Sequence, residues 1–214
     1  EVLNRVVRHD IRNDMTVILG WGQALAEHVD AEGEAYLQRV IDGGEHVVEL
    51  TEIARDYVEM VTGAEEVETV PTPLEPVLSR ELTLRREFYP DASFTVRGAL
   101  PSVEVEGNDV LGSAFRNLLN NAVQHSDRPH PNVEVAAEVT DDHVVVTVSD
   151  DGPGIPDERK EAVFGKGTKG LDSPGTGIGL YLVRTIVDHC GGSVRVTDND
   201  PRGAIFEVRL PRAG

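Results

Sequence analysis

Apolar residues recur every three or four positions from the start of the chain, at Val7, Ile11, Met15, Ile18, Gly22, Leu25 and Val29. That spacing is close to a heptad and predicts a helix over residues 2–29. Asp30-Ala31-Glu32-Gly33 interrupts it, and a second seam follows at Leu37, Val40, Gly44, Val47, Thr51, Ala54, Val58 and Val61. Two long helices joined by a short loop make a helical hairpin. One hairpin buries too little apolar surface by itself, so the seams predict a homodimer whose two hairpins form a four-helix bundle. Gly43 and Gly44 each cost the second helix about 1 kcal/mol relative to alanine. Close packing or a hinge would account for the pair.

Residues 62–72 lose the helical period and read as a linker. Thr72 is placed to cap a helix running to about Phe88, with Pro73 at its first position. Strands are predicted at Ser93–Arg97 and Val103–Val105, then a helix capped by Asn108 or Asp109. Further strands follow at Val133–Val139 and His143–Ser149. A helix over about Gly179–His189 stops at Gly191-Gly192, and strands Ser193–Thr197 and Ala204–Leu210 close the chain. Helices first and mixed elements afterwards predict an α+β protein: a helical hairpin over residues 1–62, then a two-layer α/β sandwich over residues 70–214.

The formal charge of -18 argues against a phosphate-neutralising nucleic-acid surface, and it suits a protein adapted to high salt. Arginine outnumbers lysine heavily. All three lysines, Lys160, Lys166 and Lys169, fall within ten residues. The single cysteine, Cys190, excludes an internal disulfide and reads as a small buried hydrophobe. No apolar run is long enough to cross a bilayer and no signal peptide is visible. No membrane contact is expected of these residues, which read as cytoplasmic. The chain opens directly into a helical pattern, as expected if a sensor region, membrane-bound or soluble, precedes it.

Three separated pieces carry the chemistry. They are Arg-Asn-Leu-Leu-Asn-Asn-Ala-Val-Gln-His at 116–125, Asp-Asp-Gly-Pro-Gly-Ile at 150–155 and Gly-Thr-Gly-Ile-Gly-Leu at 175–180. Asn117 and Asn121 are four apart and share a helix face. Neutral amide oxygens suit Mg²⁺, which is held by few protein ligands together with phosphates and waters. Asp150 ends a strand, and its carboxylate can accept a hydrogen bond from an adenine amino group. Gly152 and Gly154 let the backbone come close to a base. Gly175, Gly177 and Gly179 open a helix whose free N–H groups can face phosphate. They follow a loop rather than a strand, which argues against a dinucleotide fingerprint. The glycine- and lysine-rich stretch from Pro156 to Pro174 reads as a lid over the nucleotide. Phe164 would be its apolar latch, and Lys166 and Lys169 its phosphate contacts.

In this order the pieces resemble the N, G1 and G2 boxes of the GHKL-type (Bergerat) ATPases, the family that includes histidine kinases, gyrase and mismatch-repair ATPases. The whole chain resembles the catalytic core of a sensor histidine kinase. The resemblance implies ATP and Mg²⁺ as cofactors, with Asn121 as the metal ligand and Asn117 supporting metal or phosphate. Asp150, Gly152, Gly154, Gly175, Thr176, Gly177, Gly179 and Leu180 would line the nucleotide site. Gln124 stands where many such kinases carry a basic residue, and a lid lysine is the expected substitute.

His9 lies two positions before the seam residue Ile11, which places it off the buried stripe. His9-Asp10-Ile11-Arg12-Asn13 resembles the phosphoacceptor box of these kinases. Asp10 would accept the imidazole Nδ1–H and leave Nε2 to attack the γ-phosphate. Asn13 would orient a water that removes phosphate from a partner aspartate. Asp14 replaces the proline common there, so this helix is expected to lack the usual kink. The resemblance further implies phosphotransfer from His9 to an aspartate of a response-regulator receiver domain. Two other readings compete: a GHKL-type ATPase without phosphohistidine, opposed by the His-Asp-x-x-Asn hairpin, and a nucleotide-sensing dimerisation module, opposed by the complete set of Asn, Asp and glycine pieces.

Overall fold

The computed structural model describes residues 2–30, 69–108, 110–165 and 179–214, and in between residues 33, 34, 36, 37, 39–41, 43, 44, 47 and 51. For residues 2–10, 12, 13, 23 and 27 the description is confined to the backbone. The chain divides into two compact units, Glu1–Val58 and Glu59–Gly214. Among the described residues no helix is long and apolar enough to cross a membrane.

In the first unit, helix α1 spans Val2–Leu25 and one 3-10 turn continues it over Ala26–His28. Asp30 explains the break that follows. Its Oδ1 accepts the Gly33 N–H at 2.9 Å and its carbonyl accepts the Glu34 N–H at 2.8 Å. Those bonds satisfy amides that a new helix would leave orphaned. The described residues between 33 and 51 are helical. The two helical stretches touch through glycine. A Cβ on Gly22 would stand 3.1 Å from Ile41 Cγ1, and one on Gly44 would stand 2.9 Å from Leu19 Cδ2. Among the described residues nothing stands within 4 Å of a Cβ on Gly43. Of the glycine pair, then, Gly44 serves close packing. Much of the seam stays exposed, including Ile11, Ile18, Leu25, Val40 and Val47, and Trp21 is 70% exposed.

In the second unit, a two-stranded antiparallel sheet pairs β1 (Val70–Pro73) with β3 (Glu104–Gly107). This corrects the helix start. Thr72 sits in β1, where its hydroxyl donates to Val70 O, and it does not cap α2 (Leu74–Phe88). The first amide of α2 donates instead to Val103 O at 3.0 Å. A four-residue run that contains Pro71 and Pro73 shows no strand period, which hides β1 from sequence.

The main sheet is mixed and runs β2 (Ser93–Val96), β4 (Asn132–Val139), β5 (His143–Asp150), β7 (Ala204–Pro211), β6 (Ser193–Asp198). Only β2–β4 is parallel. Helices α3 (Leu111–Gln124) and α5 (Gly179–His189) pack together with α2 into the core of this unit. Asn108 does not cap α3, whose N-cap is Val110 without a side-chain bond; Asn108 Oδ1 accepts the Val110 N–H at 3.2 Å in the turn just before, while Asp109 lies outside the described residues.

Alternation decides which strand residues meet the helices. Along β5, Val144, Val146 and Val148 are buried, and the same parity brings Asp150 inward at the strand's end. Along β7, Ala204, Phe206, Val208 and Leu210 do the same. From α3 come Leu111, Ala114, Phe115, Leu118, Leu119 and Ala122. Phe164 belongs to this core as well. It is 3% exposed and meets Phe206 edge-on, with ring centroids 6.3 Å apart. That corrects the latch assignment: Phe164 anchors the segment after α4 (Asp157–Lys160) in the fold itself. Cys190 is buried too, and desolvation pushes its thiol up to about 11, which suits an inert core residue.

Leu118 is fully buried among these side chains. Leu118→Ala should lower the unfolding free energy by about 3 kcal/mol. The exposed Val139 should tolerate alanine with a loss below about 1 kcal/mol. Urea denaturation followed by circular dichroism checks both.

Candidate functional site

Helix α3 runs along the site. Asn117 is buried on it, and its Nδ2 donates to Ser113 O at 2.8 Å, which fixes the amide and leaves Oδ1 pointing away from that bond. A Cβ on Gly179 would lie 2.9 Å from Asn117 Oδ1. Only a glycine lets the start of α5 come so close to that amide, so the structure brings Asn117 and Gly179 together. Leu180 beside it is partly buried against the core. Asn120 faces elsewhere and accepts a hydrogen bond from Arg85 Nη1 of α2 at 2.8 Å, a tie between helices.

Asn121 lies one turn beyond Asn117. Its Nδ2 is buried and finds no hydrogen-bond partner among the described residues. A buried amide group left unpaired is costly. The two ends of an amide are alike in shape, so the position can present an unpaired oxygen instead. Two amide groups on one helix face fit a hard divalent cation whose other ligands are phosphate and water. Among the described residues no cluster of three His, Cys, Asp or Glu side chains could hold a metal.

Asp150 lies at the other end of the site, beyond the C-terminus of α3. Its Oδ1 accepts the Gly152 N–H at 2.9 Å and the Ala204 N–H at 3.2 Å. No bond is found at Oδ2 among the described residues. Its backbone carbonyl accepts Asn199 Nδ2 at 2.7 Å. Neighbouring Asp151 points away from this site, accepting the Asn132 N–H at 3.0 Å and Nδ2 at 2.9 Å. Of the two adjacent acids, only Asp150 faces the site. Gly152 packs beside Ser126 and His125 at the end of α3. Gly154 has φ +78° and stands against Gly203 O, a conformation and approach that favour glycine. From Asn117 to His125 the helix rises about 12 Å, which separates the amide end of the site from the carboxylate end.

The remaining predicted residues divide in two groups. Lys166, Lys169, Gly175, Thr176 and Gly177 lie outside the described residues. His9, Asp10 and Asn13 lie on α1 in the first unit, with their side chains outside the description. Lys160 is committed to Asp157 and Asp198, at 2.5 and 2.7 Å. Ser113, Asn199, Arg202 and Ala204 went unremarked in the sequence. They hold Asn117 and the loop around Asp150, and only tertiary pairing of β6–β7 against β5 brings the last three there.

Burial raises the Asp150 pKa above its ordinary value, while the Gly152 and Ala204 amides pull it back. Partial desolvation likewise lowers the pKa of His125, which stays exposed at the end of α3, while the Asp150 charge raises it. For a carboxyl raised on folding, the stabilising contribution is complete below the unfolded value of 3.8 and is lost as pH rises through the folded value. Asp150→Asn keeps the oxygen that accepts both amides and removes the buried charge. It should therefore unfold at a temperature equal to or above that of the parent at neutral pH, and the gap should close towards pH 3.8. Thermal melts across that range test the sign.

Residues 107–214 match the family described as histidine kinase-, DNA gyrase B-, and HSP90-like ATPase. The sensor histidine kinase ZraS of Salmonella typhimurium is 30% identical over 96% of this chain, which spans 44% of ZraS. The chain thus covers less than half the length of that relative. The solved structure of the mycobacterial sensor histidine kinase MprB is 30% identical and covers 67% of this chain and 97% of its own, with a TM-score of 0.61. Histidine kinase ThkA, solved in complex with the response regulator protein TrrA, is 23% identical, has a TM-score of 0.64 and covers 100% of this chain and 62% of its own. At that identity it shows the fold alone. The sandwich is a GHKL-type ATP-binding domain, and the chain belongs to the sensor histidine kinases of the histidine kinase-, DNA gyrase B- and HSP90-like ATPase family.

Proposed function

We propose that this chain autophosphorylates on His9 at the expense of ATP and passes the phosphoryl group to an aspartate of a response-regulator receiver domain. The reading is carried by one conjunction. A buried carboxylate, a buried amide unpaired among the described residues and a glycine-opened helix converge in an ATP-binding domain, on a chain whose α1 bears His9, Asp10 and Asn13 in phosphoacceptor order.

In this reading Asp150 Oδ2 accepts the adenine amino group, with Gly152 and Gly154 allowing the base to approach. Asn117 and the N-terminus of α5 at Gly179 and Leu180, together with Gly175, Thr176 and Gly177, hold the phosphates. Lys166 and Lys169 neutralise charge spread over the γ-phosphate. Asn121 would hold Mg²⁺, which when bound offsets phosphate charge. Asp10 accepts the His9 Nδ1–H, so the Nε2 lone pair is the nucleophile. The N–P bond forms at Nε2 as the bond to the β,γ-bridging oxygen breaks, and ADP leaves with that electron pair. Asn13 serves the reverse reaction, orienting water for hydrolysis of the partner's phosphoaspartate.

The domain division follows: residues 1–62 for dimerisation and phosphotransfer, residues 70–214 for ATP. The exposed Ile18, Trp21, Leu25, Val40 and Val47 form an apolar surface of the kind another protein chain covers, which supports a homodimer with a four-helix bundle. A requirement for ATP and for a receiver-domain partner supports a cytoplasmic location for this core.

The test is incubation with γ-labelled ATP and Mg²⁺. The parent chain should acquire an acid-labile, base-stable label. His9→Gln should abolish it with ATP affinity unchanged. Asp150→Asn should weaken ATP by about tenfold or more, since an amide donor would then face the adenine amino group. Hydrolysis that His9→Gln leaves intact, without labelling of the parent, would identify a plain ATPase instead. Binding with neither would identify a nucleotide sensor.

A further inference from the structure

The turn between β6 and β7 reaches back to the strand end that carries Asp150. Arg202 Nε donates to Gly152 O at 2.8 Å, and its Nη2 donates to both Asp127 oxygens, at 3.0 and 2.8 Å. One guanidinium thus links the loop after Asp150 to the loop after α3. Two further bonds from the same hairpin hold Asp150 itself, Asn199 Nδ2 to its carbonyl and the Ala204 amide to Oδ1. Gly203 between them has φ +108°, and a Cβ there would stand 1.9 Å from Asp150 O.

We propose that Arg202 is a positioning residue for base recognition, acting through Gly152 to aim the Asp150 carboxylate at the exocyclic amino group of the purine. This rests on the assignment of Asp150 to adenine made above. Gly152 is held from both sides: its carbonyl by Arg202, while its N–H fixes Asp150 Oδ1. With Oδ1 held by Gly152 and Ala204, Oδ2 is the oxygen left for the base, and its direction follows from theirs. The Arg202 and Asp127 side chains are 37% and 54% exposed, so their ion pair adds little to stability. Its value is directional. A planar guanidinium holds its donors in a rigid fork, so both partners are fixed in direction as well as distance, which the rotatable ammonium of a lysine does less well. The phosphate end, at Asn117 and Gly179, has no bond to this turn among the described residues. Loss of Arg202 should therefore weaken recognition of the amino group and spare the triphosphate.

The experiment compares the affinity of the whole chain for ATP and for purine riboside triphosphate, which lacks the amino group. The parent should prefer ATP, and Asp150→Asn should erase the preference. Arg202→Gln should cut the ATP-to-purine affinity ratio by about fivefold or more, with purine riboside triphosphate affinity unchanged, the size expected for one misdirected hydrogen bond to a charged acceptor. Asp127→Asn should cut the ratio less, by about twofold, because the bond from Arg202 to Gly152 survives. An unchanged ratio in Arg202→Gln, or equal weakening of both nucleotides, overturns the proposal. Should Arg202→Gln fail to fold, an unchanged ratio in Asp127→Asn overturns it. A parent chain with no preference for ATP would instead overturn the adenine assignment on which the proposal rests.

Discussion

The second unit is built around one costly act, the burial of the Asp150 carboxylate at the end of a core strand. Three valines set the inward face of β5, and the next position of that face is an acid. Desolvation opposes its charge, and the backbone amides of Gly152 and Ala204 reduce the penalty without neutralising it. Everything nearby serves that arrangement. Asp151 is drawn off by Asn132, Asn199 holds the strand carbonyl, and glycines stand where any side chain would collide. A charge held at such cost, with one oxygen unbonded among the described residues, supports the proposal that the group is kept for a ligand.

The amide end of the site, on the middle and last turns of α3, follows the same logic with neutral groups. Asn117 is oriented by a bond within its own helix, and Asn121 keeps a buried amide hydrogen-bonding group without a partner among the described residues. Both ends thus hold back hydrogen-bonding capacity that ordinary core packing would have consumed. The core itself is conventional, with aliphatic faces of α3, β5 and β7 meeting at near-zero exposure. The polar exceptions therefore stand out by position and not by number.

Sequence carried much of this because the periods are strong. The alternation of β5 and the four-residue spacing of Asn117 and Asn121 placed those side chains correctly relative to the core. Tertiary features were illegible for physical reasons. β1 is four residues with two prolines, so neither alternation nor propensity reveals it, and Thr72 looked like a cap. Phe164 sat in a lysine- and glycine-rich stretch that read as a lid, yet its side chain belongs to the core beside Phe206. Arg202 carries no local signal, since its partners lie 50 and 75 residues away.

The close approach of Gly203 to Asp150 has a consequence for anyone who would redesign this scaffold. Two segments about fifty residues apart share one steric envelope, so neither can be remodelled against the unaltered form of the other. On the proposed assignment of Asp150 to adenine, grafting a different base preference onto the protein means transplanting residues 150–154 and 199–204 as a matched pair. A single-loop graft would import a backbone that its counterpart cannot accommodate.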